Sequence, residues 1–129
     1  GRLHSQLTGA PNAISQEAFE CALAEEPAEV TDMVAEFDRR RHKIVSGLED
    51  LGLPCEMPKG AFYVFPDVSA HLDENGSMGF SERLLEEAEV ASVPGSAFGT
   101  EGHVRLSYAL AEDQITEALE RLGRFLREG

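Results

Sequence analysis

The sequence predicts an α+β fold, one small and mainly antiparallel sheet covered by helices. Two observations carry this. Four segments place apolar residues at the three- and four-residue steps of an amphipathic helix, and four short β-prone stretches occur as two neighbouring pairs. The order reads helix, helix, strand, strand, helix, strand, strand, helix. A hydrophobic share of 42% in 129 residues is enough to close the core of one domain of ordinary size.

The first helix is expected from Ile14 to Glu25, with Ile14, Ala18, Cys21 and Ala22 on one face and Pro27 ending it. The clearest periodicity follows: Val30, Val34, Phe37, Ile44, Leu48 and Leu51 step by four and three, with Arg41 in the missing slot. A charge in the seam points to a long helix lying on a sheet rather than to a coiled coil, and Gly52 and Pro54 stop it. Two strands are expected at Cys55–Met57 and Ala61–Phe65, joined by the turn residues Pro58, Lys59 and Gly60. The run Phe62-Tyr63-Val64-Phe65 is β-prone through its aromatic and branched residues, and Pro66 terminates it. A polar loop over residues 67–77 leads to a short helix from about Gly79 to Ala88 that offers Phe80, Leu84, Leu85 and Ala88 to a core. Val90–Val93 and Val104–Tyr108 read as two further strands around the loop Pro94–Gly99. The chain closes with an amphipathic helix from Ala111 to Glu128, striped by Ile115, Leu119, Leu122 and Leu126.

Charge narrows the function. Eleven Lys+Arg against twenty-four Asp+Glu give a net charge of −13, and only Lys43 and Lys59 among the basic residues are lysines. Such a surface repels phosphate backbones and anionic lipid, so neither nucleic acid nor a membrane is an expected partner. No apolar run approaches the roughly 20 residues that span a bilayer, and the opening residues lack a signal peptide's apolar stretch, so a cytoplasmic protein is expected. An acidic, Lys-poor surface fits life in molar salt, where the Debye length shrinks to about 3 Å and repulsion among carboxylates is screened. Cys21 and Cys55 are expected as buried thiols rather than as a disulfide or metal ligands. The chain begins with Gly, and its first dozen residues resemble the interior of a longer protein, which makes a fragment the expectation.

Among residues that could carry chemistry, Arg105 stands out, because in His103-Val104-Arg105-Leu106-Ser107-Tyr108 it faces away from Val104 and Leu106. It is either an arginine on a solvated sheet face or a guanidinium fork for a carboxylate, whose planar geometry it matches with two parallel hydrogen bonds. The loop Pro94–Gly99, with two glycines, is a wide hairpin connection or a place where backbone approaches a ligand. It is neither a GxGxxG nor a P-loop. Gly60 serves either a positive φ or close approach of a ligand. The serines form no nucleophile elbow, the histidines do not pair at metal spacing, and neither lysine looks desolvated as a Schiff-base lysine should be. These residues offer ligand clamps without a catalytic engine.

Taken together the motifs resemble a family. Ser5-Gln6 with Thr8, Pro11, Ile14 and Gln16, then Phe37 with Arg39-Arg40, Pro58-Lys59-Gly60-Ala61-Phe62-Tyr63-Val64-Phe65-Pro66, Val93 to Gly99 and Val104 to Ala109 are similar, in order, to the C-terminal part of class I/II aminotransferases of aspartate-aminotransferase type. These are fold-type I enzymes that use pyridoxal 5′-phosphate. The resemblance implies transfer of an amino group between an amino acid and a 2-oxo acid by a homodimeric parent enzyme, aspartate-type first. It implies a loop over residues 1–13 from the large-domain side and a small C-terminal domain over residues 14–129, with the large, cofactor-binding domain and its Schiff-base lysine absent from this chain.

By the same resemblance, Arg105 binds the substrate α-carboxylate, Gly60 lies beside the substrate with Phe62 and Tyr63 packing behind it, and the Gly95–Gly99 loop flanks the carboxylate site. The opening loop reaches toward the cofactor phosphate of a neighbouring subunit. There Gly9 and Ala10 stand where the family often has a Ser-Asn pair, which leaves that contact to Thr8 or to the backbone, or removes it. No catalytic residue and no metal ligand is expected within the chain, and alone it should not transaminate. A reading from another class remains open at this point, a standalone amino-acid-binding or regulatory module that kept the clamp without catalysis.

Overall fold

Asn12 starts the first helix, α1 (Ala13–Glu25), where its Oδ1 accepts hydrogen bonds from the N–H groups of Ile14 (2.9 Å) and Ser15 (3.3 Å). The computed structural model describes residues 11–25 and 27–128, so Thr8 and the motif at residues 5–6 lie outside the described residues. The chain divides into two compact units, one up to Val34 and one from Ala35 onward. In the first unit α1 has the expected helical form but buries nothing: Ile14, Phe19 and Leu23 are exposed, and so is Cys21, contrary to its expected burial.

The long helix α2 (Ala28–Asp50) begins where the Val30 N–H bonds the Pro27 carbonyl. Val30 and Val34, expected on the core stripe, are exposed; burial is confined to Ile44, Val45 and Leu48, with Phe37 and Leu51 packed against the core. Gly52 ends the helix at φ +77°, and the Leu53 N–H reaches back to the Leu48 carbonyl, as a glycine C-cap should.

The sheet has three strands in the order β1 (Tyr63–Val64), β3 (Val104–Ser107), β2 (Val93–Pro94), all antiparallel. Tyr63 pairs with Ser107, Val64 with Leu106, Val93 with Arg105 and Pro94 with Val104. The strand expected at Cys55–Met57 does not form. That segment, between Pro54 and Pro58, is irregular, and Pro54 offers its carbonyl to the Asp67 N–H instead. Lys59 and Gly60 therefore turn no hairpin. β1 is shorter than expected, since Pro66 has no N–H to give the ladder and beyond it only the Asp67–His103 bridge survives; the strand expected at Val90–Val93 is confined to Val93–Pro94, and β3 stops at Ser107.

Helices cover one face of this sheet. α3 (Gly76–Ala88), which begins at Gly76 rather than Gly79, buries Phe80, Leu84 and Ala88, while Leu85, expected in the core, is exposed. α4 (Glu112–Glu128) contributes Ile115, Leu122 and Phe125, with Leu119 and Leu126 alongside. These meet Val64, Val104 and Leu106 of the strands in one core, where each fully buried large aliphatic side chain contributes about 1.5–3 kcal/mol. Among the described residues, no helix is long and apolar enough to cross a membrane.

Candidate carboxylate site

Alternation along β3 fixes the site. Val104 and Leu106 are buried in the core, so Arg105 must project from the opposite face, where it is half-buried. There its guanidinium carbon lies 4.3 Å from the ring centre of Tyr63 and 4.6 Å from that of Phe98. Tyr63 comes from the neighbouring strand β1 and Phe98 from the 3₁₀ turn Gly95–Phe98 that follows β2. No described carboxylate pairs with Arg105, and no described group accepts a hydrogen bond from its guanidinium. Arg39 and Arg40, by contrast, bind Glu36, Arg41 binds Asp38, and Arg121 binds Glu89 (2.6 Å) and Glu117 (2.8 Å).

The loop carrying Phe98 is held from three directions. Gly95 donates to the His103 carbonyl (2.8 Å) and accepts from the Thr100 N–H (3.0 Å). The buried Ser77 hydroxyl accepts a hydrogen bond from the Ser96 N–H (3.1 Å), and the Ser77 N–H donates to Glu101 (2.5 Å). The Glu101 carboxylate thereby serves the first turn of α3, and the Ser77 N–H and hydroxyl hold its pKa below the ordinary carboxylate range. Phe65 supports Phe98 edge to face at 5.9 Å and stacks on His103 at 5.1 Å.

A second loop, residues 58–61, is tethered at the other end of β3, beyond Ser107. The buried Tyr108 donates its hydroxyl proton to the Ala61 carbonyl (2.8 Å), and Arg41 donates to the Pro58 carbonyl (2.8 Å). The positive φ in this turn falls on Ala61 (+59°), not on Gly60, where a Cβ would meet nothing within 4 Å. Of the two roles open to Gly60 from sequence, positive φ is therefore removed. The two aromatic residues after this turn pack on each other at 4.5 Å; Tyr63 also lies against the Arg105 guanidinium, and Phe62 leans on Phe37.

Sequence reading found Arg105 and its face but missed both aromatic partners. The signal for Tyr63 was available, because Tyr63 and Phe65 alternate with the buried Val64 just as Arg105 alternates with Val104 and Leu106. Phe98 could not be found this way, since its position depends on a 3₁₀ turn. Of the chain's two lysines, Lys43 faces Glu112 at 3.6 Å and Lys59 is exposed.

Comparison with known proteins agrees with this architecture. Residues 2–122 match the family model for aminotransferase class I and II. An aspartate aminotransferase of Pyrococcus abyssi is 48% identical over 103 residues, covering 77% of this chain and 25% of that protein. The structure of aspartate aminotransferase from Thermotoga maritima superposes with a TM-score of 0.84 at 38% identity, covering 98% of this chain and 32% of that one. Aspartate aminotransferase from Thermus thermophilus with maleate gives 0.83 at 43% identity, over 95% and 32%. The chain thus spans about a quarter to a third of the length of these relatives. Its fold, a small antiparallel sheet covered by helices, is the one these structures share, and the chain belongs to the class I and II aminotransferase family.

Proposed function

We propose that this chain is the substrate-clamping part of an aminotransferase that exchanges an amino group between an amino acid and a 2-oxo acid, with pyridoxal phosphate as cofactor. The observation that carries the proposal is Arg105: a guanidinium held between the rings of Tyr63 and Phe98 on the sheet face opposite the core, with no carboxylate partner among the described residues. Its role is to bind the substrate α-carboxylate through two parallel charge-assisted hydrogen bonds, which fixes the Cα of the substrate relative to the reacting groups. Gly60, on the tethered turn and with open space before it, lies beside the bound substrate.

Neither lysine of this chain fits covalent attachment of the cofactor. Lys43 is engaged by Glu112 and Lys59 is exposed, so neither is the desolvated amine that such a site requires. The cofactor's lysine is therefore assigned to another part of a longer, homodimeric, cytoplasmic enzyme, in which residues 14–129 form the small C-terminal domain and the opening loop reaches toward the partner subunit's phosphate site, with Thr8 or the backbone as its contact if it makes one. Aspartate is the first donor to try, since aspartate aminotransferases recur among the relatives. The −13 charge is read as adaptation to high salt.

Transamination by the full-length protein and its Arg105→Ala variant tests the reading. Two charge-assisted hydrogen bonds at about 1.5–3 kcal/mol each correspond to a loss of roughly a hundredfold or more in kcat/KM. A loss below about threefold would remove Arg105 from substrate binding.

A further inference from the structure

We infer that Tyr63 and Phe98 are positioning residues that confine carboxylate capture to the edge of the Arg105 guanidinium; this rests on the reading of Arg105 as the carboxylate clamp. The two ring centres lie 4.3 Å and 4.6 Å from the guanidinium carbon, well inside the roughly 6 Å range of cation–π attraction. They come from separate elements that flank the central strand. Phe98 is half exposed, with 47% of its surface open, so its burial alone gives little reason for an aromatic residue there.

The geometry has a chemical consequence. All five guanidinium N–H donors lie in one plane. Aromatic contacts hold the cation without using any of those donors, whereas a carboxylate neighbour would occupy two of them. The planar fork stays free for a ligand, and a planar carboxylate approaching edge-on is the group that fits it. The loop network ending at Ser77 and Glu101 fixes Phe98 in turn, and Phe65 braces it from the side.

The test is steady-state kinetics of the full-length protein with Phe98→Leu, Phe98→Tyr, Tyr63→Leu and Tyr63→Phe, beside Arg105→Lys. Maleate serves as a non-reacting dicarboxylate probe. Each leucine variant should raise KM for amino acid and 2-oxo acid, and the maleate inhibition constant, by about two- to fivefold per lost cation–π contact, with kcat changed less. The aromatic variants Phe98→Tyr and Tyr63→Phe, which keep the ring faces, should retain the parent values; a role in filling space alone would lower stability in the leucine variants without moving KM or the maleate inhibition constant. Leucine variants with unchanged KM, alongside a damaged Arg105→Lys, would overturn the positioning role and leave the clamp standing. An Arg105→Lys protein with unaltered KM and maleate affinity would overturn both.

Discussion

Gly95→Ala tests how the site is held together. Gly95 is buried, and a Cβ added there would sit 2.1 Å from the Thr100 carbonyl oxygen and 2.5 Å from that of His103. Even a close C···O contact needs about 3.3 Å, so the backbone must give by roughly 1.2 Å at Thr100 and roughly 0.8 Å at His103. Both obstructing oxygens belong to the hairpin that Gly95 closes, through its bonds to His103 and from Thr100. Overpacking of this kind costs about 1–3 kcal/mol, and losing one or two backbone hydrogen bonds adds about 0.5–1.5 kcal/mol each. A destabilisation of about 2–5 kcal/mol is therefore expected, read as a lowered denaturant midpoint at unchanged slope. Gly99→Ala is the internal control: Gly99 has φ +73° but open space around its Cβ position, so only the left-handed penalty of about 1–2 kcal/mol applies. Because the displaced turn carries Phe98, Gly95→Ala should also weaken carboxylate binding. If Gly95→Ala cost no more than Gly99→Ala, steric closure of the hairpin would be refuted as the reason for glycine at 95.

Three further outcomes are expected. Tyr108→Phe removes the hydroxyl that holds the Ala61 carbonyl and should cost about 0.5–1.5 kcal/mol in chemical unfolding, with KM rising as the Gly60 turn loosens. Glu101 has a carboxyl pKa lowered by its bonds from Ser77, so its contribution is present above the ordinary Glu range near about pH 4.3 and is lost as pH falls through the lowered folded value. Glu101→Gln should thus be less stable than the parent at neutral pH, and the gap should close on acidification in a pH series of thermal midpoints. Finally, if the acidic surface is an adaptation to salt, the thermal midpoint should rise between about 0.1 M and molar salt; a flat or falling midpoint would dismiss that origin for the charge.

What the sequence disclosed follows from the range of the forces involved. α4 and the buried half of α2 were legible because amphipathic spacing is local, and β3 because Val104, Arg105 and Leu106 alternate. Cys55–Met57 resembled a strand, but a strand needs a partner with free donors and acceptors, and proline stands on both sides of it. The true start of α3 was hidden because the carboxylate serving its first turn comes from Glu101, far along the chain. Val30, Val34 and the face of α1 carry an apolar pattern that the described core does not use, so periodicity there gave the helix without its partner. Arg105 was legible as a candidate, yet its setting depends on two loops whose conformations are fixed by the tertiary contacts of Ser77, Gly95 and Tyr108.

The proposed clamp has to work in an acidic chain. With twenty-four Asp+Glu, any exposed arginine has an abundance of carboxylates to pair with, and those of α2 and Arg121 do so. An arginine paired in that way is a poor carboxylate receptor, because its donors are occupied and its charge is offset. Arg105 avoids this by position and by neighbours. It sits on a sheet face between Tyr63 and Phe98, whose rings attract the cation and accept none of its N–H groups as a carboxylate would. The local field at Arg105 can therefore remain positive within a chain of net charge −13. Salt screens the distant carboxylates over a few ångströms, whereas a bidentate pair in contact with the guanidinium is screened far less. High ionic strength, if it is this protein's medium, would then favour recognition at Arg105 by quieting the rest of the surface.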